Sequence, residues 1–169
     1  MKKFLFLSCF ILITSTLPSP VSAQTLIKTT GDWSAFSHGT GKSKICHIAS
    51  APTKETGNYK HRGHTLVLVA HRPAEKKLDV FELRAGYTYK KASEVIIYVD
   101  DQEFKLFTSK KTAWAKNPET DHALARAMIR GRVMTAEGIS NRGTKTLDTY
   151  SLKGFTAAYN AIRKFCKVK

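Results

Sequence analysis

The chain has 169 residues, with 28 Lys and Arg against 13 Asp and Glu, for a formal net charge of +15. Beyond the first 23 residues no stretch approaches the roughly 20 apolar residues needed to span a bilayer as a helix, and the remaining length is that expected of one domain with its own core. So positive a field favours anionic partners, among them lipopolysaccharide, acidic phospholipid and cell-surface glycans.

Residues 1–23 read as a cleavable secretory signal. Lys2 and Lys3 form the positive start, and Phe4 to Ile13 is an apolar run interrupted by Ser8. Pro18 and Pro20 break any helix, and Val21, Ser22 and Ala23 provide a cleavage site before Gln24. That three-part order is the signature of export. Residues 24–169 are therefore expected to form a single soluble domain, periplasmic or secreted, carrying about +13 once the two leader lysines are gone. In that compartment nucleic acid is the least expected anionic partner.

Strand signals dominate the mature chain. Strands are expected near Trp33, around Ile45 to Ala49, over Thr65 to Ala70, and from Leu78 through Val80 and Phe81 to Leu83. Glu94 to Val99 and Gln102 to Thr108 flank Asp100-Asp101 and read as a hairpin. Further strands are expected at Val133 to Glu137 and Thr146 to Leu152. Between Thr40 and Arg62 the pattern is weakest, with turn signals at Gly57-Asn58 and Arg62-Gly63.

Two segments carry helical periodicity. In the first, Asn117 caps, Pro118 opens, Glu119 and Asp121 suit the positive end, and Gly131 stops the apolar stripe through Leu124, Ala127 and Met128. In the second, Phe155, Ala158, Tyr159, Ile162 and Cys166 recur at three and four. The fold class is therefore mainly β (α+β): an antiparallel β-sandwich or open barrel with two packed helices.

Without the leader's Cys9, two cysteines remain, Cys46 and Cys166. Two thiols in an oxidising compartment imply one disulfide, here joining an early strand to the last helix. No Cys-x-x-Cys pair points to redox chemistry.

No residue set forms an evident active site, and no cofactor or metal is expected. Gly41-Lys42-Ser43 imitates the end of a phosphate-binding loop, but Phe36 stands where the first glycine is required. His61, His64 and His71 could make a zinc set on paper, without a supporting carboxylate at useful spacing. Asp148 and Ser151 are the only support for an envelope hydrolase, and Asp148 is expected to pair with Arg142 or fix a turn. Trp33 and Trp114 could stack on a sugar, although core positions are commoner for such rings. Another alternative is a structural or chaperone-like periplasmic component that binds through a sheet edge.

The most distinctive stretch is Gly138 to Phe155, which includes Gly-Ile-Ser-Asn-Arg-Gly-Thr-Lys-Thr-Leu-Asp-Thr-Tyr. With Gly31-Asp32-Trp33, Cys46, His71-Arg72-Pro73, Ala85-Gly86-Tyr87, Ala113-Trp114-Ala115 and Cys166 in the same order, it resembles the invasion-associated locus B family of exported bacterial proteins. The resemblance implies an envelope role connected with host-cell invasion or survival, and it supplies no catalytic residues. Combined with the charge, it points to a non-enzymatic protein that binds an anionic envelope component or host surface, with peripheral membrane contact a further expectation. Lys42, Lys44, Lys54, Lys60 and Arg62, in the weakly patterned segment, are the expected contacts.

Overall fold

The computed structural model describes residues 24–168. The leader read over residues 1–23 lies outside the described residues. The strands are β1 (Thr25–Thr30), β2 (Trp33–His38), β3 (Ile45–Ser50), β4 (Lys54–Gly57), β5 (Leu66–Arg72), β6 (Lys77–Arg84), β7 (Glu94–Val99), β8 (Gln102–Ser109), β9 (Thr112–Trp114), β10 (Val133–Ile139) and β11 (Lys145–Ser151). The helices are α1 (Pro118–Arg130) and α2 (Phe155–Cys166).

All eleven strands join one sheet in the order β1-β2-β3-β5-β6-β9-β8-β7-β10-β11-β4. Every pairing is antiparallel. The sheet cannot be flat. β3 and β4 lie eight strand spacings apart in that order, about 38 Å at the usual separation. Yet only residues 51–53 connect them, a reach of roughly 14 Å. The sheet must therefore curl until its two ends approach, which makes it an open barrel rather than two separate layers.

Alternation decides which face is buried. Val67, Val69 and His71 of β5, Val95, Ile97 and Val99 of β7, and Thr146, Asp148 and Tyr150 of β11 all point to the buried side. Asp100, at φ 48°, makes the tight β7–β8 turn, and Val99 pairs with Gln102. The expected hairpin is present. β1, β4 and β9 had no expected counterpart. β9 has three residues, and β1 and β4 form the two ends of the sheet with largely exposed side chains.

The helices cover the buried face. α1 begins as its sequence dictates: the Asn117 side chain accepts the Thr120 N–H at 2.9 Å, and Pro118 occupies the first turn. It packs mainly on β6, and α2 packs on β1, β2 and β3. Gly154 starts α2 at φ 92°, where a Cβ would lie 1.9 Å from the Thr30 carbonyl oxygen; only glycine fits that approach. Phe155 meets Trp33 edge-on at 4.8 Å, and the Trp33 indole N–H donates to the Ser151 carbonyl. Trp33 is thus core.

Cys46 and Cys166 are bonded, with Cα atoms 6.1 Å apart across a sequence separation of 120. The bond ties β3 to the end of α2. Lys44 reinforces it, since its Nζ donates to the Phe165 carbonyl at 2.9 Å and lies over the Phe165 ring. A second buried link joins β6 to both helices: Asp79 accepts the Tyr159 hydroxyl and contacts His122 Nδ1, each at 2.6 Å.

Candidate functional site

The segment between β4 and β5 crosses one mouth of the curled sheet, and Arg62 anchors it there. Its two terminal nitrogens each lie 2.6 Å from an oxygen of Asp148, and its Nε donates to the Ala85 carbonyl at 2.7 Å. The guanidinium also lies near the rings of Tyr87 and Tyr59. Both charged side chains are nearly sealed, at 3% and 4% exposure. A planar fork on a carboxylate is among the strongest side-chain pairings. Burial pushes the Asp148 carboxyl up, with Arg62 acting against it, and Asp148 holds the guanidinium above its ordinary value.

This corrects one expectation and bears on another. Arg62, named among the expected contacts, has a buried side chain whose charge is matched by Asp148 and approached by Glu55 at 3.6 Å. Asp148 pairs with Arg62 and not with Arg142, because its position on β11 points inward and Arg142 lies on the exposed β10–β11 turn. Of the two residues that supported the hydrolase alternative, Asp148 is clamped by Arg62, and Ser151 Oγ accepts the Lys153 N–H.

Above the clamp lies a cleft of about 590 Å³. Its walls are residues 58–62, residues 86–88 after β6, and the β10–β11 turn. Ser140 shapes that turn by accepting the N–H groups of Arg142 at 3.3 Å and Thr144 at 3.1 Å. The Asn141 N–H donates to the Thr88 carbonyl at 2.8 Å and ties the turn to the opposite wall. Tyr87 closes the floor through a 2.6 Å contact between its hydroxyl and Thr146 Oγ1. Gly138 permits this, since a Cβ there would fall 2.6 Å from the Tyr87 oxygen.

The charge of the cleft is one-sided. Lys60, His61, Lys111 and Arg142 line it together with Arg62, and no Asp or Glu does. Among the described residues Lys60, Lys111 and Arg142 have no carboxylate within ion-pair distance. Hydroxyls and amides from Asn58, Asn141 and Thr144 complete the lining.

Of the expected contacts, only Lys60 and Arg62 reach this cleft. Lys44 is engaged with α2, at the other end of the β3–β5 pair, where Cys46 faces His71. Lys42 and Lys54 are exposed outside the cleft. Lys111 and Tyr87 were not singled out as site residues, and Arg142 only as a partner for Asp148. The histidines scatter: His61 lines the cleft, His64 a neighbouring hollow, and His71 is buried with its Nδ1 accepting the Asp79 N–H. Among the described residues no three His, Cys, Asp or Glu side chains are grouped to hold a metal ion.

The family model for invasion associated locus B (IalB) protein matches residues 33–163. The chain belongs to the invasion associated locus B family. The matched region runs from the first core tryptophan into α2 and takes in all three walls of the cleft. The stretch that carries the resemblance divides its work in this member of the family: Ser140 to Thr144 shape the cleft, Asp148 anchors Arg62, and Gly154 seats α2. Searches of curated proteins and of solved structures returned no match. Among the described residues no helix is long and apolar enough to cross a membrane.

Proposed function

We propose that this invasion-associated protein is a non-enzymatic envelope or secreted component that binds an anionic partner in the cleft above Arg62. The observation that carries the reading is the set of cations at the rim, Lys60, Lys111 and Arg142, facing a polar hollow with no acidic side chain in its lining. Such a set attracts an anion and leaves no like charge to repel it. The hydroxyls and amides between the cations suit a hydroxyl-rich ligand, so an acidic polysaccharide of the envelope or of a host surface fits best.

A soluble sulfated or phosphorylated polysaccharide is the appropriate probe. Binding is expected at low ionic strength and should weaken as salt rises, since the screening length falls to about 8 Å at physiological salt. Absence of binding to any acidic polysaccharide at low salt would overturn the proposal.

A further inference from the structure

The outer face of the sheet carries a second feature, unrelated to the cleft. A water-facing sheet face normally holds polar side chains. Trp114 of β9 stands between Glu82 of β6 and Phe107 of β8 in register, so its ring and that of Phe107 share the outer face. Phe107 is 43% exposed and Trp114 is only half-buried. β9 stops at Trp114, so the first half of β6 has no strand on that side. The start of α1 closes the gap instead, and Asp121 accepts the Phe81 N–H at 2.8 Å where a strand carbonyl is missing. Leu78 and Val80 extend the aromatic pair along β6, and the result is a groove of about 500 Å³.

The charged groups around it are few and differ in character. Lys76 and Lys77 stand at the start of β6; Lys77 pairs with Glu75 at 3.1 Å on the exposed side, and Lys76 has no ion pair among the described residues. Asp121 is buried and already occupied by the Phe81 N–H, and the His122 ring is held by Asp79. The groove is therefore apolar along its length and cationic at one end.

We propose that this groove receives an acyl chain of an anionic phospholipid, with the headgroup at Lys76 and Lys77. Aromatic rings beside lysines suit the boundary between hydrocarbon and an anionic headgroup layer, where the surface potential attracts basic side chains. The apolar walls match the chain and the lysines match the headgroup, a complementarity that a neutral apolar ligand would leave unused.

The two tryptophans give a direct readout. Trp33 is fully buried against Phe155 and should be silent, so a fluorescence change reports Trp114. Residues 24–169 are mixed with phosphatidylcholine vesicles, with or without phosphatidylglycerol, whose acyl chains are brominated. With phosphatidylglycerol, emission should shift to the blue and be quenched. Trp114→Phe should abolish the signal, and Phe107→Asp, at an exposed position, should weaken binding roughly tenfold with an unchanged unfolding midpoint. Lys60→Ala/Arg142→Ala should leave the quenching intact, which separates this site from the cleft. Unchanged emission with both vesicles, equal quenching without phosphatidylglycerol, or full quenching of Phe107→Asp would each overturn the proposal.

Discussion

Arg62 and Asp148 lie 86 residues apart in sequence and meet as a sealed, two-bonded ion pair at the mouth of the curled sheet. The pair joins the segment after β4 to β11, and so fixes one wall of the cleft against another. Its second effect is to occupy Asp148, while Glu55 lies 3.6 Å from the same guanidinium, so neither acid is paired with the rim cations.

Removing one partner should therefore be costly. Arg62→Ala strands a buried carboxylate, and Asp148→Ala strands a buried guanidinium. Each should lower stability by about 3–5 kcal/mol in urea unfolding. Replacing both with Met and Leu should recover much of that loss, since burial of two charges contributes little net stability when apolar groups fill the same space. Equal losses in the single and double variants would contradict the pairing argument.

The disulfide has a different signature. Changing both Cys46 and Cys166 to Ser should reduce stability by roughly 2–5 kcal/mol, as expected for a bridge closing a long loop. Thiol counting on unreduced, denatured protein should find none free. Two free thiols would show that α2 is held without the bridge, by packing and its hydrogen bonds to Asp79 and Lys44.

Acid and base should act through Asp121. Burial pushes its carboxyl up to about 6, against the Phe81 N–H that favours the charged form. A carboxyl with a raised folded value binds protons more tightly than in the unfolded chain. Its contribution is therefore favourable at low pH and is lost as pH rises from about 4 to about 6, by about 1–2 kcal/mol once solvent screening is allowed for. Buried His71 works in the opposite sense: burial lowers its value, and its contribution is lost as pH falls below the usual histidine range. Asp121→Asn keeps an acceptor for Phe81 and removes the first effect alone. The stability difference between the Asp121→Asn variant and wild type should grow from pH 4 to pH 6; a constant difference would contradict the assignment.

Much of the scaffold was legible in the sequence. Alternating apolar residues marked β5 and β7, Asp100-Asp101 marked the hairpin turn, and Asn117-Pro118 with Gly131 bounded α1. β9 and β4 were not, because three or four residues cannot show alternation, and Lys-Glu-Thr-Gly at the sheet end has no apolar side to display. The cleft was only half legible. Ser140 to Thr144 stood inside the most distinctive stretch, and Lys60 stood among the expected contacts. Arg62 could not be separated from its basic neighbours, since the carboxylate that buries it is supplied by a distant strand. The curl that brings residues 58–62 over the β10–β11 turn is likewise a property of the whole sheet.

The most direct test of the cleft compares two variants that each remove two positive charges: Lys60→Ala/Arg142→Ala, within the cleft, and Lys42→Ala/Lys54→Ala, outside it. Affinity for an acidic polysaccharide is measured by calorimetry at fixed low salt. A cleft that binds the anion predicts a loss of roughly tenfold or more for the first pair and a small change for the second. Equal losses for both pairs would show a diffuse basic surface and contradict a site above Arg62.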